Sequence, residues 1–320
     1  MSDWKINFNE DKQVWDAFVS TSPQRSIFNY SKFLDSLLVK YDLVACYDKT
    51  GIVAGAVIIS TDSGNPIATP FPFTQYQGIL LADNTNRAGH SQLAHEFKIV
   101  EYFIAQLAER YQEYCLCQSW RLRDLRPFQW HNYHEPQKGH FKIDLRYTGV
   151  LEINKFQNFD HYMSSVRTVR RQEFKKSSQW LKLKMSNDEG LLDDLHAKTF
   201  KRQNIERTQQ ESALVKSIVS HAIAGNYGKM GCALLDDVPV SAVLFLYDDR
   251  TAYYLFGAND PFHRKTFAGT FVLMHMIKEA FEQKMHEVDF VGVNSPNRGD
   301  FKVSLNAELK PYFITSIGGI

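Results

Sequence analysis

The run VDFVGVNSPNRGDFKVSLNA, residues 288–307, sets a lysine, Lys302, just beyond an apolar segment and a polar loop. The apolar part reads as a buried strand and the part around Lys302 as a short amphipathic helix. A lysine there can stabilise a developing oxyanion or a donor phosphate. Apolar surroundings would also let it shuttle a proton. The same position also suits, less well, a lysine that snorkels past Phe301 to water. A second cluster, His263, Arg264 and Lys265, lies between the strand TAYYLFGAND and a helix expected from about residue 267 to 284. A helix N-terminus aims unpaired N–H groups and the positive end of its dipole at an anion. Ala268 and Gly269 would admit a phosphate closely, and the same residues also suit a capped surface loop. A third cluster is Arg167, Arg170 and Arg171, spaced to share one helix face. Lys175, Lys176, Lys182 and Lys184 follow, opposed only by Glu173. Such a face binds a phosphate-bearing substrate or an RNA backbone, or simply meets solvent.

Other chemistries lack a pattern. His131 and His134 have a spacing that a metal can use, but no thiolate or carboxylate cluster stands beside them, so no metal is expected. Asp236-Asp237 reads as a turn. No nucleophile elbow, phosphate-binding P-loop or dinucleotide glycine fingerprint occurs.

The elements that must position these residues follow from periodicity and turn chemistry. Helices are expected near 11–20 and 30–39, then a hairpin of 43–47 and 52–60 around Asp48-Lys49-Thr50-Gly51. A long helix over 91–111 carries Leu93, Phe97, Val100, Phe103, Ile104 and Leu107 on one face. EYCLCQSW and FKIDL are strands, separated by an irregular stretch. The second half starts with GVLEI, then a basic helix over 158–177, the strand WLKLKM, and helices near 188–203 and 211–225. A hairpin around Asp236-Asp237, the strand TAYYLFGAND, the 267–284 helix, EVDFVGV, the short Lys302 helix and LKPYFITSI complete it. The first half has an abbreviated version of the same order, which predicts domains of 1–148 and 149–320.

The chain has 320 residues, 44% hydrophobic and 23% charged, with a net charge of +1. That excludes a global field that would draw in DNA or an anionic membrane. No apolar run reaches the roughly 18–20 residues of a bilayer span, and the polar start MSDWKINFNEDK lacks a signal-peptide core. The four cysteines are too sparse for a disulfide scaffold, so a reducing, cytoplasmic setting is expected.

The C-terminal stretch resembles the Fem-type aminoacyltransferases and their acetyltransferase-like relatives in the GNAT superfamily. The residues that carry the likeness are Tyr254-Leu-Phe-Gly257, Val288-Asp289-Phe290-Val291-Gly292 and Phe301-Lys302-Val-Ser-Leu305-Asn306. The basic stretch SVRTVRRQEFKKS resembles the Arg-rich helix of the family, and PFPFTQYQGILL and RPFQW resemble first-domain segments of the acetyltransferase-like relatives. The frame Lys265-Thr-Phe-Ala268-Gly-Thr270 departs from the usual acyl-CoA loop, Arg/Gln-x-x-Gly-x-Gly/Ala, and the charged helical arm of several bridge-forming enzymes is missing. The resemblance implies an α/β (α+β) protein of two GNAT-like domains, mixed sheets flanked by helices, the first abbreviated. The cleft is expected between the domains or at splayed strands of the second.

The implied reaction is acyl transfer from acyl-CoA, such as acetyl-CoA, to an amine on an amino sugar, peptide or cell-envelope precursor. Typical relatives place a tyrosine four residues before a glycine on the short helix, to protonate the leaving thiolate; Lys302 stands four residues before Asn306. On this reading Lys302 and Tyr254 are catalytic, and Val243, Phe245, His263, Arg264, Lys265, Ala268 and Gly269 bind the donor, with a backbone N–H of Val243–Leu246 on the oxyanion. Arg167, Arg170, Arg171 and Asn294 bind substrate. Two alternatives stand beside it: an aminoacyl-tRNA-dependent transferase acting on a peptidoglycan precursor, and a non-catalytic binding module of the same fold.

Overall fold

The computed structural model describes residues 4–84, 88–201, 207–296 and 298–318. The chain divides into two compact units, one of residues 1–35, 39–146 and 311–320, the other of 36–38 and 147–310.

In the first unit, β1 (Lys5–Asn7), β2 (Lys40–Tyr47), β3 (Ile52–Ser60) and β4 (Leu80–Leu81) form an antiparallel sheet in that order. The expected hairpin turn is present: the Asp48 carboxylate accepts from the Thr50 N–H at 2.7 Å, and the Asp48 N–H donates to the Gly51 carbonyl at 3.0 Å. Helix α1 (Lys12–Thr21) starts where Asp11 accepts from the N–H groups of Gln13 and Val14. Its Trp15 and Phe18 lie over β3 at Gly55, where a Cβ would come within 2.6 Å of the Trp15 ring. The helix expected over 30–39 is only α2 (Ser31–Leu34), and Leu38 has a positive φ that no helix allows. Helix α3 (Gly89–Tyr111) buries Val100, Phe103, Ile104 and Leu107 as expected, while Leu93 stays exposed. β5 (Tyr114–Cys117) and the short helix α4 (Arg126–Trp130) complete this part, and β5 pairs antiparallel with Ile314–Ile317.

The second unit begins within β6 (Lys142–Glu152). The sequence suggested two strands separated at 147–149, but β6 is continuous. The Asn294 side chain accepts from the Tyr147 N–H and donates to the Tyr147 carbonyl, so it acts as a substitute partner strand there. The basic helix expected over 158–177 is two helices, α5 (Phe159–Ser165) and α6 (Thr168–Ser177). Val166 is extended and buried between them, and the Arg167 N–H donates to the Ser304 carbonyl rather than back into a helix. Next come β7 (Leu181–Met185), α7 (Glu189–Lys201), α8 (Gln209–Ala224), β8 (Gly228–Leu235), β9 (Val238–Tyr247), β10 (Thr251–Asn259), α9 (Ala268–Glu282), β11 (Glu287–Asp289), α10 (Arg298–Val303) and β12 (Glu308–Ile317). Residues 202–203 of the expected 188–203 helix lie outside the described residues.

The strand order in this unit is β6-β11-β10-β9-β8-β7. β10 and β11 are parallel, joined through α9, because parallel neighbours need a crossover. Val243 and Phe245 of β9 pack with Phe271, Val272 and Met276 of α9 in one core cluster. Leu244 and Leu246 alternate with them and face the layer of α7 and α8. The parallel pairing covers only Thr251–Tyr253 against Glu287–Asp289. Beyond it β10 stays with β9 as far as Asn259, so a wedge opens between β10 and the chain leaving β11.

The Trp15 contact gives a stability prediction. Gly55→Ala should lower the unfolding free energy by about 1–3 kcal/mol, since rigid indole and backbone must move apart. Urea unfolding followed by tryptophan fluorescence measures it; an unchanged midpoint would contradict the packing.

Candidate functional site

The wedge is shaped by a backbone turn. Asp289 is buried, and its Oδ1 accepts from the Thr148 hydroxyl at 2.6 Å and the Val291 N–H at 2.8 Å. Val291 and Gly292 then take φ values of 50° and 80°. A left-handed glycine is ordinary, but a β-branched valine there is strained and needs its surroundings to hold it. Lys302 supplies that hold. Its ammonium donates to the carbonyls of Phe290 at 2.6 Å, Val291 at 3.3 Å and Gly292 at 2.9 Å. It also lies 5.2 Å from the ring centroid of Tyr254, within cation–π range.

Tyr254 sits at a bulge in β10, where the pairing with β9 shifts between Tyr254 and Phe256. Its ring lies 5.8 Å from that of Phe245 and 6.3 Å from that of Phe290. Its hydroxyl occupies the space that a Cβ at residue 257 would need, which explains the glycine in Tyr254-Leu-Phe-Gly257.

Tyr254 lines a cavity of about 270 Å³ formed wholly by residues of the second unit. Arg170, Glu173 and Thr270, which line it, belong to a chain of polar groups from α6, α9 and the turn after α10. Arg170 donates to the Ser304 hydroxyl, just past the end of α10, at 2.9 Å and to Glu173 Oε2 at 2.6 Å. Thr270 of α9 donates to the same Glu173 oxygen at 2.8 Å. The Arg170 guanidinium also stands 4.8 Å from the Phe301 ring centroid. Both charged side chains are largely buried, 19% and 13% exposed. Glu173 lines the cavity, and its Oε1 has no hydrogen-bond partner among the described residues.

The opposite end is the turn between β10 and α9. The Asp260 carboxylate accepts from the Phe262 N–H at 3.0 Å and from Lys198 at 2.8 Å. Burial works to raise that carboxyl, but Lys198 and the N–H hold it below its usual range. A short 3₁₀ turn, Pro261–Thr266, leads to Phe267 with φ 58°, and no side chain caps α9 among the described residues. Its first-turn N–H groups have no intrahelical partner. At residue 269 a Cβ would come within 2.7 Å of Asn259 Oδ1, so glycine keeps the approach to this turn narrow but open.

Seven of the residues singled out from sequence line this cavity: Arg170, Val243, Tyr254, His263, Arg264, Ala268 and Gly269. The others stand outside its lining. Lys302 and Phe245 contact Tyr254, and Lys265 is exposed. Arg167 pairs with Asp300 at 3.4 Å, Arg171 donates to Thr168 at 3.0 Å, and Asn294 serves Tyr147. The three arginines do not share a face, because Arg167 precedes α6 and only Arg170 turns inward. β9 is paired with β8 and β10 over Val243–Leu246, so its N–H groups serve the sheet ladders. Sequence reasoning missed Glu173, Thr270 and Asn259 as cavity residues. The signal for Glu173 was its place as the lone acid three residues after Arg170.

The acetyltransferase (GNAT) domain profile matches residues 164–303, which contain every element of this cavity. The matched stretch is therefore assigned to the GNAT acetyltransferase domains. Among solved structures, FemX superposes with a TM-score of 0.64 at 13% identity, covering 97% of this chain and 96% of that one. A tandem GNAT protein from the clavulanic acid biosynthesis pathway gives 0.54 at 10% identity, with 98% of both chains covered. L-PGS from Bacillus licheniformis gives 0.56 at 9% identity, covering 97% of this chain and 93% of that one. These likenesses establish an architecture of two GNAT-like domains, with Fem-type proteins among the structural relatives. No curated protein matches the chain by sequence.

If the ammonium of Lys302 fixes the turn after β11, Lys302→Met should cost about 1–3 kcal/mol, leaving carbonyls without their donor. Lys302→Arg should recover part of it. Chemical denaturation of both variants measures this; a methionine variant as stable as the parent would show that the lysine holds nothing in place.

Proposed function

We propose that the second unit is an N-acyltransferase, moving the acyl group of an acyl-CoA, acetyl-CoA in the simplest case, to a primary amine. The observation that carries this reading is the cavity itself. It joins a basic turn at a helix N-terminus, a tyrosine and a glutamate within about 270 Å³. The residues fit the donor. Arg264, His263 and the first turn of α9 would hold the phosphates, with Gly269 giving the clearance. The wedge beside Tyr254 would receive the thioester, and the β10 bulge leaves Leu255 outside the ladder with β9, as a backbone donor for the carbonyl oxygen.

Glu173 Oε1 would bind the acceptor ammonium and take one proton from it. The freed lone pair attacks the thioester carbon, the C–N bond forms, and the C–S bond breaks. The thiolate takes the proton of the Tyr254 hydroxyl, water restores it, and the surplus proton on nitrogen passes to water. Lys302 positions Tyr254 and the turn. An acceptor drawn from cell-envelope precursors or amino sugars is the expectation that the Fem-type likeness raises, in a compartment where acyl-CoA is available.

A second reading, an aminoacyl-tRNA donor, is favoured by one feature. Arg171, Lys175 and Lys176 on α6 and Lys182 and Lys184 on β7 are all exposed, with Trp180 beside Lys176 at 5.9 Å. An RNA backbone would be held there by phosphate contacts and lost with salt.

Calorimetry with acetyl-CoA tests the first reading. Saturable binding is expected, weakened about tenfold by Arg264→Ala, the worth of one charge-assisted hydrogen bond. Glu173→Gln should leave donor affinity within about twofold, since an amide oxygen still accepts from Arg170 and Thr270. Absence of binding at millimolar donor, with salt-sensitive binding of charged tRNA instead, would favour the second reading.

A further inference from the structure

Phe262 is 92% exposed, more than any other large apolar side chain among the described residues. An isolated exposed apolar residue is ordinary. The position of this one is not. Pro261, His263 and Arg264, on either side of it in the chain, all line the cavity, so Phe262 belongs to the same turn as that lining while its own ring is out in solvent. The ring is also presented on a fixed platform. The Asp260 N–H donates to the Val240 carbonyl at 2.9 Å, and the Asp260 carboxylate holds the Phe262 N–H at 3.0 Å and Lys198 at 2.8 Å. The His263 N–H closes the turn on the Asp260 carbonyl at 3.1 Å. Phe262 is therefore held in solvent by its backbone, beside two cations, Arg264 and Lys265, that are exposed as well.

A flat apolar face next to paired cations suits a ligand with a flat aromatic part and phosphates attached to it. We infer that Phe262 is the platform on which the adenine ring of the donor stacks, with the donor's phosphates turned inward to Arg264 and the first turn of α9. This rests on the reading of the cavity as the donor site and adds which part of the donor is recognised at its mouth. Stacking on an aromatic side chain is tolerant of the base but requires the ring. An adenosine is common to acyl-CoA and to the 3′ end of a charged tRNA, so the two donors share this contact.

The test compares the full chain with its Phe262→Ala and Phe262→Trp variants by calorimetry, using acetyl-CoA and S-acetylpantetheine, which lacks the nucleotide. Phe262→Ala should weaken acetyl-CoA about tenfold or more. Phe262→Trp should stay within about threefold, and S-acetylpantetheine should not distinguish the three proteins. Because the ring has almost no packing to lose, equal melting temperatures are expected and serve as the folding check. If acetyl-CoA binds all three proteins alike, the stacking inference is wrong and the donor reading stands. If acetyl-CoA binds none of them, the acyl-CoA reading fails, and the same variants are titrated with charged tRNA. Weakening by Phe262→Ala there assigns the adenosine to tRNA, and no effect with either donor overturns the inference.

Discussion

One ammonium group ringed by three consecutive peptide carbonyls sets the geometry of the site. The carbonyls of Phe290, Val291 and Gly292 converge because two residues in a row take left-handed backbone angles. That arrangement turns three negative dipole ends toward one point, which a cation stabilises. Lys302 reaches it from α10 and caps the face of Tyr254 at the same time. The parting of β10 from β11, the placing of the tyrosine and the anchoring of α10 thus meet at one side chain. The lysine noted at the end of a core strand has a physical reason for being there that does not require it to touch a substrate.

The cavity wall shows the same economy. Arg170 and Arg171 lie in the first turns of α6, where a helix dipole disfavours cations. Arg170 is offset by Glu173 in its own helix and donates to Ser304 just after α10, while Thr270 of α9 donates to the same Glu173. Helices α6 and α9 and the turn after α10 are thereby tied by hydrogen bonds beside the cavity. The carboxylate at the centre of that tie lines the cavity and makes both of these bonds with one oxygen. Its neighbours fix its orientation, which is what a group that handles an incoming amine needs.

The order of elements was legible because apolar periodicity and turn residues are local properties. The Asp48–Gly51 hairpin and the buried face of α3 follow from them directly. The break at Val166-Arg167 was not legible, since neither glycine nor proline marks it and its cause is a hydrogen bond to Ser304, far along the chain. The continuity of β6 was hidden for a similar reason: the partner that extends it is the side chain of Asn294. The residues proposed for an anion site were legible in type and spacing, and Arg264, Ala268 and Gly269 do meet at one cavity. What Lys302 binds was not, because a convergence of carbonyls belongs to backbone angles and leaves no mark on residue type. Glu173 escaped notice as the single acid in a basic run, where it reads as charge balance until Thr270 is brought beside it.

The most direct measurement is a crystal structure of the full chain with acetyl-CoA. The account predicts phosphate oxygens at Arg264 and the first turn of α9, and the thioester carbonyl beside Tyr254, with Glu173 Oε1 facing the carbon that an amine would attack. A bound acetyl-CoA whose acyl end lies outside this cavity, or on the far side of β10 from Glu173, would contradict it.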